Sequence, residues 1–171
     1  MRVLLFGWTR GGSRVLSGVV QRGYRRVSLE TLVRYATINS MRVVLDTNIL
    51  VSACWKPGGL ESRIAHLAVT GKIIACVTSE ILAEYHDVLS RPKLASLHLP
   101  AVELLAALER AAILVETETH VTASADDDDN RFLECAEAAK AEFLITGNLR
   151  HYPSEWGATR IINARTFISL K

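Results

Sequence analysis

The stretch Met41-Arg42-Val43-Val44-Leu45-Asp46-Thr47-Asn48 places a short, mostly apolar run directly before a carboxylate. A β-branched run bounded by polar residues predicts a buried strand over 42–46, with Asp46 at its carboxyl end. Open α/β sheets bind ligands outside the carboxyl ends of their strands. A carboxylate beside a core is unfavourable unless a helix N-terminus, a basic side chain or a metal ion compensates its charge. The alternative is that Asp46 serves only as the N-cap of the helix that follows.

The composition indicates one globular domain without a membrane span. The chain has 171 residues, of which 49% are hydrophobic, enough to bury a core. No apolar run approaches the roughly 20 residues that a membrane-spanning helix needs. Cys54, Cys76 and Cys135 lie in apolar stretches and form no CxxC pair, so we expect reduced core thiols in a cytoplasmic protein.

Charge divides the chain into a basic leader over 1–40 and an acidic body over 41–171. The leader holds seven arginines against one acid, a net charge of +6, whereas the body has a net charge of −4. Three interpretations of the leader are open: an organelle transit peptide, a basic arm that grips RNA, or an upstream mis-start with Met41 as the true start. We favour the mis-start, and otherwise expect a poorly ordered segment. Because the body is acidic, it would need cations to bind phosphates.

From Met41 onward, apolar runs typical of strands alternate with amphipathic segments typical of helices. Strands are predicted at 42–46, 72–77, 113–115, 143–146 and 160–162, with a loop over 147–157. Helices are predicted at 47–54, 60–70, 79–90, 101–112, 129–140 and 165–170. This alternation predicts a single α/β domain with a parallel sheet and helices on both of its faces.

The helix after the second strand offers three acids, and helical phase selects one of them. The apolar stripe of this helix runs through Ile81 and Tyr85. At about 100° per residue, Glu84 falls near the edge of that stripe, while Glu80 and Asp87 point away from it. Glu84 is therefore the acid that can lean over the sheet. The alternative is that Glu84 is an ordinary residue at the boundary of the core.

A run of four aspartates, 126–129, precedes a helix whose buried face begins with Phe132 and Leu133. A bare acidic run is usually a solvated loop. If the helix begins near 129, however, Asp128 and Asp129 lie four residues before these apolar positions and point toward the sheet edge.

The other polar residues of this segment are predicted to face solvent. Asn130 and Glu134 point outward by phase, and Asp126 and Asp127 lie outside the helix. A helix N-terminus favours anions, which explains part of the acidic cluster without any catalysis.

Further polar groups follow the strand over 143–146: Asn148, Arg150 and His151. The other histidines lack the spacing of metal ligands and are interpreted as structural or surface residues. Carboxylates that converge at one sheet edge repel each other, and an all-oxygen set selects Mg²⁺ or Mn²⁺. Such ions hold phosphate oxygens and activate water. No GxxxxGK or GxSxG motif is present.

Four segments in this order resemble those of PIN-domain ribonucleases, and within that group the VapC-like toxins of bacterial toxin–antitoxin modules. They are Val43–Ser52, Ser79–Lys93, Asp128–Ala136 and Leu144–Asn148. The resemblance covers about 41–168. It implies a parallel sheet of four or five strands, Mg²⁺- or Mn²⁺-dependent cleavage of single-stranded RNA, a cognate antitoxin and a homodimer.

The resemblance also implies a set of catalytic and metal-binding acids. The first acid falls on Asp46 and the second on Glu84. The position of the third acid falls on Asn130, with Asp129 and Asp128 beside it. Helical phase assigns the catalytic role to Asp129, with Asp128 as the neighbouring acid.

Amides complete the predicted site. Asn48 is expected to hold the carboxylates in register by hydrogen bonds. The fourth acid of the family is Asn148 here, which can ligate a metal or orient a water but adds no negative charge. We therefore expect one tight metal site at most.

Two other classes of function compete with a ribonuclease. Phosphatases of the haloacid-dehalogenase kind also place an aspartate after the first strand, but they need DxD, and Asn48 stands at the second position. A degenerate PIN fold that only binds RNA or a partner protein is the other alternative. The presence of Asp46, Glu84 and Asp129 argues against it.

Overall fold

The structure is a computed structural model that describes residues 41–118, 120, 121, 123 and 127–170, with the backbone alone at 127 and 128. The interpretations of the leader over 1–40 and the metal-binding role of Asp128 therefore fall outside the described part of the chain.

A six-stranded sheet forms the centre of the described region. Its strands are β1 (Arg42–Leu45), β2 (Ile74–Val77), β3 (Ile113–Leu114), β4 (Phe143–Ile145), β5 (Glu155–Trp156) and β6 (Thr159–Ile162). They lie in the order β3-β2-β1-β4-β6-β5, and all pairs are parallel except β5 with β6. The parallel α/β prediction is confirmed. The sheet has one strand more than the resemblance implies, because β5 forms a two-residue hairpin arm inside the predicted loop.

Six α-helices flank the sheet within the residues that the structure describes. They are α1 (Thr47–Trp55), α2 (Leu60–Val69), α3 (Ser79–Ser90), α4 (His98–Ala111), α5 (Asp127–Ala139) and α6 (Ala164–Ser169). Short 3₁₀ helices occupy Pro92–Leu97 and Leu149–His151.

Two helices begin two or more residues earlier than the sequence predicts. Helix α4 begins at His98 rather than 101, because Pro100 falls in the first turn, where a missing N–H removes no intrahelical bond. Helix α5 begins at Asp127 rather than 129. The prediction that Asp127 lies outside the helix is therefore wrong.

The central strands β1 and β4 position the polar residues that follow them. Their register pairs Leu45 with Ile145. The next residues, Asp46 and Thr146, therefore leave the sheet side by side at its carboxyl edge. The Asp46 backbone N–H still donates to the Ile145 carbonyl at 2.9 Å, so the strand pairing extends to the carboxylate.

Shortening a core side chain on the central strand β4 tests this architecture. Leu144 on β4 is fully buried, so Leu144→Ala removes core contacts and leaves a cavity. We expect the free energy of unfolding in a urea titration to fall by about 2–5 kcal/mol. The matched control is Leu99→Ala, since Leu99 is 69% exposed, and its effect should stay within about 0.5 kcal/mol. Equal effects of the two substitutions would contradict the placement of β4 at the centre.

Candidate active site

Asp46 is a buried carboxylate with partners from three parts of the chain. It is 7% exposed and forms the N-cap of α1, where its Oδ1 accepts from the Asn48 backbone N–H at 3.1 Å. Its Oδ2 accepts from the hydroxyl of Thr146 at 2.6 Å and from that of Tyr152 at 3.4 Å. The cap therefore accounts for one oxygen only. The other oxygen is held by residues about 100 positions away in the chain.

The Thr146 side chain connects Asp46 to the loop after β4. Its Oγ1 accepts from Asn48 Nδ2 at 3.2 Å and from the Asn148 backbone N–H at 2.9 Å, while its own hydroxyl donates to Asp46. Asn48 Oδ1 also accepts from the Gly147 N–H at 2.8 Å. A Cβ at Gly147 would lie 3.2 Å from that oxygen, so glycine permits the close approach. Asn48 holds this edge in register through Thr146, which the sequence analysis missed.

Glu84 is tied to the beginning of α1. The Thr47 hydroxyl donates to Glu84 Oε1 at 2.5 Å, and Glu84 Oε2 is buried. Glu80 is exposed on the same helix, and Asp87 is exposed and paired with Arg91 at 2.6 Å. The phase prediction that Glu84 alone leans inward is confirmed, because α3 packs its Ile81–Tyr85 stripe against the core.

Asp129 approaches Asp46 from the first turn of α5. Its side chain is 16% exposed, and its Oδ2 lies 3.1 Å from His151 Nδ1. Its negative charge raises the pKa of Asp46, and the Tyr152 hydroxyl hydrogen-bonds to both carboxylates. The structure thus brings Asp46 and Asp129 to the same edge of the sheet, as helical phase predicts.

The predicted outward orientation of Asn130 and Glu134 is wrong. Asn130 is 3% exposed, and the side chain of Glu134 is 13% exposed. Glu134 Oε1 accepts from the Val121 backbone N–H at 2.8 Å, and Val121 is itself buried. Val121 therefore contacts a side chain on a helix face that phase alone assigns to solvent.

The electrostatics of the site favour protonation. Burial raises the pKa of Asp46 above its ordinary value, and Asp129 raises it further, against hydrogen bonds from Thr146 and Asn48 that lower it. Burial also raises the pKa of Tyr152 far above its usual range, and both carboxylates add to that shift. The phenol therefore stays protonated, and its one proton is available to either of the two acids. Two negative charges beside a core repel each other, and a bound cation would reduce that repulsion.

The carboxylates of Asp46, Glu84 and Asp129 offer only oxygen ligands, which hard divalent cations prefer. Among the side chains that the structure describes, no three of His, Cys, Asp or Glu are placed to hold one ion together. Mg²⁺ usually binds one or two carboxylates and keeps several waters. The chemistry of the site therefore fits such an ion, and Asp46 and Asp129 are the two carboxylates that the structure brings close together.

The remaining histidines and the cysteines agree with the sequence analysis. His66, His86, His98 and His120 are exposed, and His86 pairs with Glu109 at 2.6 Å. Cys54, Cys76 and Cys135 are free thiols in the core. In the part of the chain that the structure describes, no helix has the length and apolar character needed to cross a bilayer.

The comparisons with known proteins identify the class to which this fold and site belong. The sequence profile of the PIN domain matches residues 42–150, more than half of the chain. The chain belongs to the PIN-domain family. It is also similar to an uncharacterized protein of Methanocaldococcus jannaschii, with 30% identity over 111 residues, which cover 63% of this chain and 71% of that protein.

Membership in this family defines the coarse function and leaves the phosphatase alternative without support. PIN domains are in general nucleases that depend on divalent metals, so the chain is a member of a nuclease-type family. The matched segment contains Asp46, Glu84, Asp129 and Asn148, and it ends before His151 and Tyr152.

The burial of Asp46 leads to a prediction about stability. Because its pKa is raised in the folded state, that state binds the proton more tightly than the unfolded chain does. Stability contributed by this group is therefore present at low pH and is lost as the pH rises from 3.8 through the folded pKa. Asp46→Asn removes the buried charge and keeps an N-cap residue. Without divalent ions at neutral pH, we expect the free energy of unfolding to rise by on the order of 1 kcal/mol.

The measurement compares urea midpoints in EDTA at neutral and mildly acidic pH. The control is Asp87→Asn, since the Asp87 side chain is 67% exposed, and its effect should stay within about 0.5 kcal/mol. The gain from Asp46→Asn should shrink toward acidic pH. A loss of stability at neutral pH would show that the Asp46 charge is compensated within the protein.

Proposed function

We propose that this protein is a Mg²⁺- or Mn²⁺-dependent endoribonuclease that cleaves single-stranded RNA. The observation that carries the proposal is the buried carboxylate of Asp46 at the carboxyl end of β1, with Asp129 close enough to raise its pKa. Cleavage adds water across a phosphodiester, breaks the bond from phosphorus to the 3′ oxygen, and leaves a 5′-phosphate and a 3′-hydroxyl. Divalent ions suit this reaction because the substrate and the site are both anionic.

The carboxylates of the site would hold the metal ion. Asp46 and Asp129 are the proposed direct ligands, Glu84 binds directly or through water, and Asp128 is the neighbouring acid. When bound, the ion supplies positive charge to phosphate oxygens and makes water more acidic. An acidic body gains from this arrangement, since the ion provides the charge that attracts the RNA backbone.

The surrounding side chains keep these carboxylates in place. The Thr47 hydroxyl fixes Glu84, and the Thr146 hydroxyl fixes Asp46. The hydroxyl of Tyr152, itself 7% exposed, donates to Asp46 at 3.4 Å. Preorganised ligands reduce the rearrangement that binding of an ion and a phosphate requires.

The biological setting is also proposed: a toxin of a type II toxin–antitoxin module, in the cytoplasm, paired with a cognate antitoxin and acting as a homodimer. The four sequence segments that resemble VapC-like proteins support the toxin role. The three reduced core thiols support a reducing compartment.

An RNA cleavage assay with Mn²⁺ tests the activity. Glu84→Gln should lower kcat by more than about 100-fold, because even outer partners of metal ligands cost roughly 10–100-fold. Glu80→Gln is the matched control, since Glu80 is exposed one turn earlier on the same helix and should leave the rate unchanged. Equal rates for the two variants would refute this site. RNA binding without cleavage would favour the binding-only PIN fold, and hydrolysis of small phosphomonoesters alone would favour a phosphatase.

Metal binding has a test that needs no substrate. A ligand that binds only the folded state stabilises it by about 2.7 kcal/mol at 100 times its Kd. Mn²⁺ at that concentration should therefore raise the free energy of unfolding of the wild-type protein and of Asp87→Asn, and leave Asp46→Asn nearly unchanged. A similar gain in Asp46→Asn would place the bound ion elsewhere on the protein.

A further inference from the structure

The helix that carries Glu84 is fastened on both sides of Asp46. Directly after Asp46, the hydroxyl of Thr47 donates to Glu84 Oε1 at 2.5 Å. Directly before Asp46, the carbonyl of Leu45 accepts a hydrogen bond from the hydroxyl of Tyr85. Two consecutive residues of α3 therefore contact the two residues that flank the buried carboxylate.

The contact of Tyr85 lies where two neighbouring strands separate. Strand β1 pairs with β4 as far as Leu45, whereas its pairing with β2 ends at Val43. The Leu45 carbonyl thus lies beyond the last paired residues of β1 and β2, and the Tyr85 hydroxyl donates to it there. Tyr85 is fully buried, so this bond is shielded from water. A buried carbonyl needs such a partner, and here the partner is a side chain of α3.

Two bonds fix α3 more firmly than either bond alone. Consecutive side chains leave a helix about 100° apart, so the bonds made by Glu84 and Tyr85 point in different directions. With one bond alone, α3 is free to pivot about that contact and to swing the Glu84 carboxylate relative to Asp46. With both bonds, a closed ring of covalent and hydrogen bonds joins the two segments. This ring sets the separation of the two carboxylates.

We propose that Tyr85 is a positioning residue: its hydrogen bond to the Leu45 carbonyl holds the carboxylate of Glu84 at a fixed separation from that of Asp46. Its effect on catalysis rests on the proposed nuclease function, in which Glu84 binds the ion directly or through water. Mg²⁺ demands near-ideal geometry from the oxygens around it, so the separation of the carboxylates affects binding of the ion. Because Tyr85 is fully buried, it acts through Glu84 and not on the substrate.

The first test measures, in the full chain without metal, whether the two bonds act as one unit. Tyr85→Phe removes one hydrogen bond, Thr47→Val removes the other, and the double variant removes both. In urea titrations with EDTA, Thr47→Val should shift the unfolding midpoint about half as much or less in the Tyr85→Phe background as in the wild type, because the ring is already open. Additive shifts would overturn the proposal.

The matched control is Leu89→Val. Leu89 lies about one turn after Tyr85 on α3 and is also buried, and each substitution removes one buried heavy atom. Thr47→Val should shift the midpoint equally in the Leu89→Val background and in the wild type. A reduced shift in that background would mean that any loss of core packing weakens the Thr47 contact, and the specific role of Tyr85 would be refuted.

The second test follows binding of Mn²⁺ without substrate. The EPR signal of free Mn²⁺ gives the Kd of the ion. Tyr85→Phe should raise this Kd roughly 10-fold or more, since loss of an outer partner of a metal ligand costs about 10–100-fold. Thr47→Val opens the same ring from its other side and should raise the Kd by a similar factor, while Leu89→Val should keep the wild-type value. A Kd of Tyr85→Phe equal to that of Leu89→Val would contradict the positioning role.

The cleavage assay separates positioning from a purely structural contribution. At Mn²⁺ concentrations that saturate each variant, Tyr85→Phe should lower kcat roughly 10-fold and leave the KM for RNA unchanged, because the contact acts through Glu84. Leu89→Val should keep the wild-type kcat. A loss confined to KM, or the same kcat in the two variants, would show that the hydroxyl of Tyr85 serves stability alone.

The tests also distinguish this proposal from the nuclease function. If the wild-type protein binds no Mn²⁺ and cleaves no RNA, the nuclease proposal fails, and the urea titrations still decide whether Tyr85 and Thr47 hold Glu84 together. If the wild type cleaves RNA and Tyr85→Phe matches it, the nuclease stands and the positioning role fails. Phenylalanine keeps the buried ring, so Tyr85→Phe should retain the fold, and an unchanged far-UV CD spectrum would verify this.

Discussion

The hydrogen bond from Thr146 to Asp46 is the contact on which the site depends. It exists because β1 and β4 pair in a register that ends both strands at the same level. A carboxylate at this depth would be unfavourable without partners. The α1 N-cap, the Thr146 hydroxyl and the Tyr152 phenol supply them. Asn48 and Asn148 contact Thr146, and Asp129 contacts His151 on the loop after β4.

The same contacts show a compromise between stability and function. Hydrogen bonds to Asp46 favour its charged form, yet burial and the charge of Asp129 outweigh them and raise its pKa. A protein selected for stability alone would neutralise or separate these acids. Their retention at the carboxyl edge of a parallel sheet is what a site for cations requires. The chain belongs to the PIN-domain family, whose members are in general nucleases that depend on divalent metals.

Parallel topology explains how distant segments form one site. Each crossover helix carries the chain back to the amino edge, so the next parallel strand again ends at the carboxyl edge. Asp46 and Asp129 come together there although 83 residues separate them. The loop after β4 adds Asn148, His151 and Tyr152 to the same edge. The site therefore combines acids on helices, which phase places, with polar groups on a loop, which local packing places.

The sequence alone determined the order of the helices and of every described strand except β5, and it selected Asp46, Glu84 and Asp129. These predictions rest on local periodicity, because the 3.6-residue turn decides which side chain faces the core. Tertiary structure alone decided the partners. Thr146 and Tyr152 contact Asp46 across about 100 residues, and Glu134 on α5 accepts a hydrogen bond from the buried Val121. Such contacts depend on strand register and on packing between segments far apart in the chain, and no local pattern encodes either.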